Sequence, residues 1–153
     1  MFDPINIQER YLIERDKIFS NEELISEPMH FCVSYSLLIE EYIFNILKEK
    51  GNNFAVASVG SFSRRELSPY SDIDVMFIVP VIKEYEEEIR AAVTLLWDCG
   101  FEVSHTVREY SDIARFIDED LHTFTQFFET RFICGNEKIY NEWNEKEIGR
   151  EHV

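Results

Sequence analysis

The chain has 153 residues, 45% of them hydrophobic and 14% aromatic, which is enough for one domain with a true core and excludes a disordered segment. Against 15 basic residues it carries 30 acidic ones, a formal net charge of −15 that repels phosphate backbones and argues against DNA or long RNA as a partner. Cys32, Cys99 and Cys134 lie far apart without CxxC spacing and read as reduced core thiols, not as a disulfide framework or zinc site. With no signal peptide visible and no apolar run long enough for a bilayer, the expectation is a cytoplasmic protein that does not enter a membrane.

In chain order, Ile5 to Phe19 reads as a helix with Ile7, Tyr11, Ile18 and Phe19 on one side. Ser26-Glu27-Pro28 reads as the capped start of a second helix, in which Val33, Leu37, Ile43, Ile46 and Leu47 recur near helical spacing up to Lys50. Gly51-Asn52-Asn53 stops it. Phe54 to Val59 is a short apolar run suited to a buried strand, followed by Gly60 and a short helix-like piece from Ser63 to Leu67. Ser68-Pro69-Tyr70-Ser71 is turn chemistry, and Asp72 to Val79 is a second strand closed by Pro80. Lys83 to Asp98 is an amphipathic helix with Glu84, Glu86, Glu87 and Glu88 on a solvated face and Trp97 in the core. Phe101 to Val107 is a third strand, and Ser111-Asp112 can cap a short helix. A longer helix is expected from Leu121 to Cys134, with Phe127 and Phe128 in the core, and a polar one from Asn136 to about Glu147. This order predicts an α/β fold, a small mixed β-sheet flanked by α-helices. Residues 1–53 form N-terminal helices packing on a core at 54–136, and 137–153 form a C-terminal helix or tail, in effect one domain.

The chemistry concentrates in one stretch. Asp72 and Asp74 share a strand face because side chains alternate with period two, while Ile73 and Val75 point into the core. Two carboxylates held together in a half-buried place repel each other unless one is protonated or a cation sits between them. Mg²⁺ suits such a pair, since it takes one or two carboxylates together with substrate phosphate oxygens. An isolated Asp-x-Asp also fits solvated acids on an edge strand. Upstream, Gly60 leaves a strand and permits close backbone approach, Ser61 adds a hydroxyl, and free N–H groups at a helix start favour phosphate. Ser63 and Ser71 add hydroxyls, and Arg64 and Arg65 offer charge-assisted bonds to phosphate or, alternatively, pair with Glu66.

Gly60-Ser61 followed by Asp72-Ile73-Asp74 resembles the nucleotidyltransferase signature of the DNA polymerase beta superfamily. The longer string "RRELSPYSDID" resembles the N-terminal catalytic domain of PII-protein uridylyltransferases and the related nucleotidyltransferases that accompany CBS domains. The likeness continues into "LLWDCGFEVSHTVRE" and "DLHTFTQFFETRFICGN". The resemblance implies attack of a hydroxyl on the α-phosphate of an NTP, with pyrophosphate leaving between two Mg²⁺ ions. It implies that Asp72 and Asp74 hold metal and that Gly60 and Ser61 hold the triphosphate. UTP would be the donor and a tyrosine hydroxyl of a PII-like protein the acceptor. The superfamily draws a third carboxylate from a later strand, for which Glu102 in "FEV" is the candidate and Asp120 the alternative.

There are departures from the family pattern. Ser63 and Arg65 stand where the family often has glycine. No His-Asp dipeptide marks the HD phosphohydrolase domain of uridylyltransferases, and no ligand-sensing ACT domains follow, so an excised catalytic domain or a shorter relative is expected. His105 reads as a hydrogen-bonded structural residue near the site, Arg108 as a phosphate or carboxylate partner, and Arg131 as pairing with an acid in the helical layer. Two alternatives stay open: a nucleotide-binding regulatory domain without catalysis, and a CBS-associated nucleotidyltransferase with another donor and acceptor.

Overall fold

A computed structural model describes residues 2–50, 52–112 and 129–151, with the side chains of the last helix described as far as 145. Four strands form one sheet: β1 (Ala55–Val59), β2 (Ile73–Val79), β3 (Val103–Glu109) and β4 (Thr130–Gly135), in the order β3-β2-β1-β4. β1 runs antiparallel to both β2 and β4, while β2 and β3 are parallel. The parallel pair needs a crossover, and α4 (Ile82–Asp98) supplies it. The sheet is therefore mixed and flanked by helices, as the element order predicts.

Three helices precede the sheet. α1 (Pro4–Phe19) starts at Asp3, whose carboxylate accepts the Ile5 N–H at 3.1 Å. α2 (Glu22–Ile25) is capped by Asn21 in the same way. α3 (Pro28–Leu47) begins at Pro28, but not with the expected serine cap. Ser26 instead closes α2, donating its hydroxyl to the Glu23 carbonyl at 2.8 Å. Along α3 the buried stripe includes Tyr35, Leu38, Ile39, Tyr42 and Ile43, whereas Val33 and Leu37, expected with it, are 37% and 43% exposed.

The largest correction concerns the helix expected over Leu121 to Cys134. From Thr130 the chain is strand, and the earlier part, with Phe127 and Phe128, lies outside the described residues. Thr130, Phe132 and Ile133 suit a pleated surface, and β1 has a second edge whose N–H and C=O groups need partners. Gly135, read as a helix stop, ends this strand at φ +95°, where a Cβ would meet the Phe54 carbonyl oxygen at 2.4 Å. Trp97 is also not core: it is 54% exposed, and its indole N–H reaches the Val103 carbonyl at 3.4 Å. The acids of α4 are solvated, as expected, with Glu88 accepting from the Asn53 amide.

Alternation along the strands divides the interior in two. Val56, Val75, Phe77, Val79 and Val103 meet α1, α3 and α4 in a large cluster with Ile39, Ile43, Leu47, Leu96 and Phe101. Ala55, Ala57, Val59, Met76 and Ile78 face the other way, onto Ile139, Tyr140 and Trp143 of α5 (Glu137–Glu151). Asn136 caps α5 by accepting the Lys138 and Ile139 N–H groups. Among the described residues no helix is long and apolar enough to cross a membrane.

Candidate active site

Asp74 lies on the α5 face, two residues before Met76, and Asp72 sits just ahead of the first residue of β2. Asp72 is exposed and Asp74 half-buried. Burial pushes the Asp74 carboxyl above its ordinary range, and the negative charge of Asp72 pushes it the same way. Among the described residues neither carboxylate has a hydrogen-bond or ion-pair partner. The acids form a like-charged pair at a strand end.

Strand register fixes what stands beside them. Ser104 of β3 pairs with Asp74 and Val103 with Ile73, while Glu102 and Asp72 are the residues just ahead of β3 and β2. One step beyond the Ser58–Val75 pair, Val59 comes opposite Asp74, and Val59 in turn pairs with Thr130. Thr130 shares a 3.0 Å hydroxyl contact with Tyr140 of α5, which closes this row on the β4 side. Glu102 is exposed, and among the described residues no three carboxylate, histidine or cysteine donors gather into one group. The structure therefore brings Asp72 and Asp74 together but does not add Glu102 to them as a third donor; Asp120 lies outside the described residues. His105 pairs with Val75, faces α4 on the opposite side of the sheet, and meets the Phe77 ring edge-on at 6.2 Å. It is thus not beside the acids.

Gly60 begins the loop that returns to them. It has φ +61°, and the space where a Cβ would point is open within 4 Å. The expected helical piece from Ser63 to Leu67 does not form. The chain instead makes successive turns, with Arg64 N–H on the Gly60 carbonyl, Arg65 N–H on Phe62 and Glu66 N–H on Ser61. The loop therefore offers no helix N-terminus, only turn amides and side chains. Phe62 and Leu67, both fully buried, anchor the loop in the core.

Most polar side chains of the loop are already engaged. The Ser63 hydroxyl donates to the Gly60 carbonyl at 2.7 Å, and Ser71 pairs with the Ser68 hydroxyl at 2.8 Å. Arg64 bridges Glu66 and Glu129, at 3.0 and 2.6 Å. Arg65 donates to Glu40 of α3 at 2.9 Å. Of the side chains expected to meet phosphate, Ser61 is the one without a partner among the described residues. Sequence reasoning missed the loop's braces. Arg131 pairs with no acid among the described residues: from β4 its Nε donates to the Ser63 carbonyl at 3.0 Å. Ser36 of α3 accepts the Leu67 N–H, and the Glu129 carbonyl accepts that of Gly60. These contacts join distant stretches of chain and leave no local signature.

Sheet, turn and acid pair together define a nucleotidyltransferase fold. Residues 40–133 match the nucleotidyltransferase domain family, and the chain belongs to it. It is similar to proteins named bifunctional uridylyltransferase/uridylyl-removing enzyme. With that of Hydrogenovibrio crunogenus it shares 34% identity over 131 residues, covering 86% of this chain and 14% of the relative. With that of Pseudomonas entomophila the figures are 36% over 115 residues, 67% and 13%. With that of Haemophilus influenzae they are 38% over 93 residues, 60% and 11%. The chain thus spans a small part of the length of these relatives.

Proposed function

We propose that the chain is a Mg²⁺-dependent nucleotidyltransferase that moves a nucleoside monophosphate from an NTP, UTP first among them, to a hydroxyl of a PII-like signalling protein. The observation that carries this reading is the half-buried Asp74 held against Asp72, without a cationic partner among the described residues, at the strand end where the Gly60 turn leaves the sheet. The donor set fits the ion: two carboxylate ligands leave coordination positions for phosphate oxygens and water, the arrangement Mg²⁺ prefers. When bound there, Mg²⁺ supplies positive charge against the triphosphate and the departing pyrophosphate.

Asp72 and Asp74 would hold the ion, and neutralising their repulsion would favour its binding. The open side of Gly60 and the hydroxyl of Ser61, without a partner among the described residues, receive the triphosphate, orienting its α-phosphorus toward the acceptor. The acceptor oxygen forms a bond to that phosphorus as the bond to the pyrophosphate oxygen breaks. UTP as donor is supported by the uridylyltransferase name of the relatives, and a PII-like acceptor by the resemblance of "RRELSPYSDID" to PII-protein uridylyltransferases. The test is incubation with Mg²⁺ and each labelled NTP, with and without a PII-type protein. Label on the protein from UTP is expected, and no transfer from any NTP overturns the reading. A second reading, a nucleotide-binding regulatory domain without catalysis, is favoured by one observation: no three donors gather among the described residues. It predicts NTP binding without transfer in the same assay.

A further inference from the structure

Arg65 is the one non-glycine among the described residues with a positive φ, +58°, in the left-handed region that side chains other than those of glycine and asparagine rarely adopt. A bulky residue persists in such a conformation when its surroundings over-determine it. Here they do: the guanidinium reaches out of the loop to Glu40, in the middle of α3, at 2.9 Å. The Glu40 side chain is only 13% exposed and that of Arg65 35%, so the contact is shielded on the helix side. One turn earlier on the same helix, Ser36 holds the Leu67 N–H at 3.1 Å.

We infer that Arg65 is a positioning residue: its ion pair with Glu40 holds the Gly60–Leu67 loop against α3 in the shape that presents Gly60 and Ser61 to the nucleotide. The pair does not touch substrate. Its work is done on the loop backbone, whose turns from Gly60 to Glu66 are closed by N–H groups on either side of Arg65. The role in nucleotide placement rests on the proposed nucleotidyl transfer; the role in loop order does not.

The test compares Glu40→Gln, Arg65→Gly and the charge-reversed pair Glu40→Arg with Arg65→Glu, in the full chain. Hydrogen exchange of the Arg64 to Leu67 amides reads the loop, with β1 and β2 amides as the internal control, and titration with UTP and Mg²⁺ reads the site. Glu40→Gln is expected to speed loop exchange about tenfold and weaken UTP about tenfold, leaving strand exchange unchanged. Arg65→Gly relieves the backbone but removes the tether, so the same pattern is expected from it, and the reversed pair restores both readings toward wild type. Unchanged loop exchange in both single variants overturns the inference. So does an Arg65→Gly loop as well protected as wild type, which assigns the whole effect to backbone conformation. If wild type takes no UTP, the nucleotidyl-transfer reading fails, while loop exchange still decides whether Arg65 holds the loop.

Discussion

The sheet face under α3 and α4 and the face under α5 are made from alternate residues of the same strands, yet they are filled differently. Toward α3 and α4, β2 sends Val75, Phe77 and Val79 into a cluster drawn from three helices and the sheet. Toward α5 it sends Asp74, Met76 and Ile78, against a smaller cluster in which β1 contributes alanines. Small residues on β1 let α5 come close at one end, while the other end keeps its carboxylates. One face maximises buried apolar area; the other accepts like-charge repulsion within a few residues of a core methionine. In the proposed transferase, stability and chemistry rest on opposite sides of one strand.

The strongest way to break this division is to neutralise the acids. Asp72→Asn and Asp74→Asn are each expected to reduce nucleotidyl transfer about a thousandfold, about 4 kcal/mol of transition-state stabilisation, in a labelled-UTP assay. Without metal at neutral pH, Asp74→Asn is expected to melt no lower than wild type, because it removes a repulsive charge. The sign follows from the raised carboxyl. The folded state binds that proton more tightly than the unfolded chain does. The group's stabilising contribution is therefore present below the ordinary value of 3.8 and lost as pH rises through the folded value. The advantage of Asp74→Asn over wild type should grow on going from pH 4 to 7, and an advantage that instead shrinks reverses the assignment.

On the opposite face, Phe77→Ala should remove about 3–5 kcal/mol of stability in urea unfolding, the range for emptying a buried phenylalanine site. Met76→Ala, one residue along but facing α5, should cost less, about 2 kcal/mol, because methionine leaves a smaller and more adaptable gap. Equal losses would give the two faces equal weight. A smaller effect comes from Gly60→Val, which forces a β-branched residue into the left-handed region at about 1–2 kcal/mol. Nucleotide affinity should fall further than the melting temperature; lost stability with normal affinity would leave the glycine serving the turn alone. The smallest effect is expected from Glu102→Gln: less than a threefold change in transfer, under about 0.7 kcal/mol. A loss of tenfold or more would add Glu102 to the acid pair.

What was legible in the sequence was local. The period-two placement of Asp72 and Asp74, the glycine leaving β1 and the strand, helix, strand sequence from β2 through α4 to β3 all follow from neighbours a few residues apart. The helix expected through Thr130 failed because apolar spacing in "TFTQFFETRFIC" fits both periods, and its strand identity is set by pairing with β1 across the chain. The arginines misled for a related reason. Their charge can be read from the string, but whether it meets phosphate or a protein carboxylate depends on Glu40, 25 residues away, and on Glu129, 65 away. Trp97 misled because its helical spacing places it with the apolar stripe, while its position at the last turn of α4 leaves it at the surface.

The Arg131 contact to the Ser63 carbonyl has a consequence for how the protein comes into being. The two residues are separated by 68 positions, and β1 cannot gain its second partner strand until the same late stretch exists. Contacts of such long sequence separation form slowly, because the entropy of closing a large loop must be overcome before they stabilise anything. On a ribosome the glycine turn and both acids emerge well before the arginine that braces them. The nascent chain therefore carries an unpaired edge of β1 and an unbraced loop until the β4 stretch has emerged, which is when an added strand or a chaperone would find it most exposed.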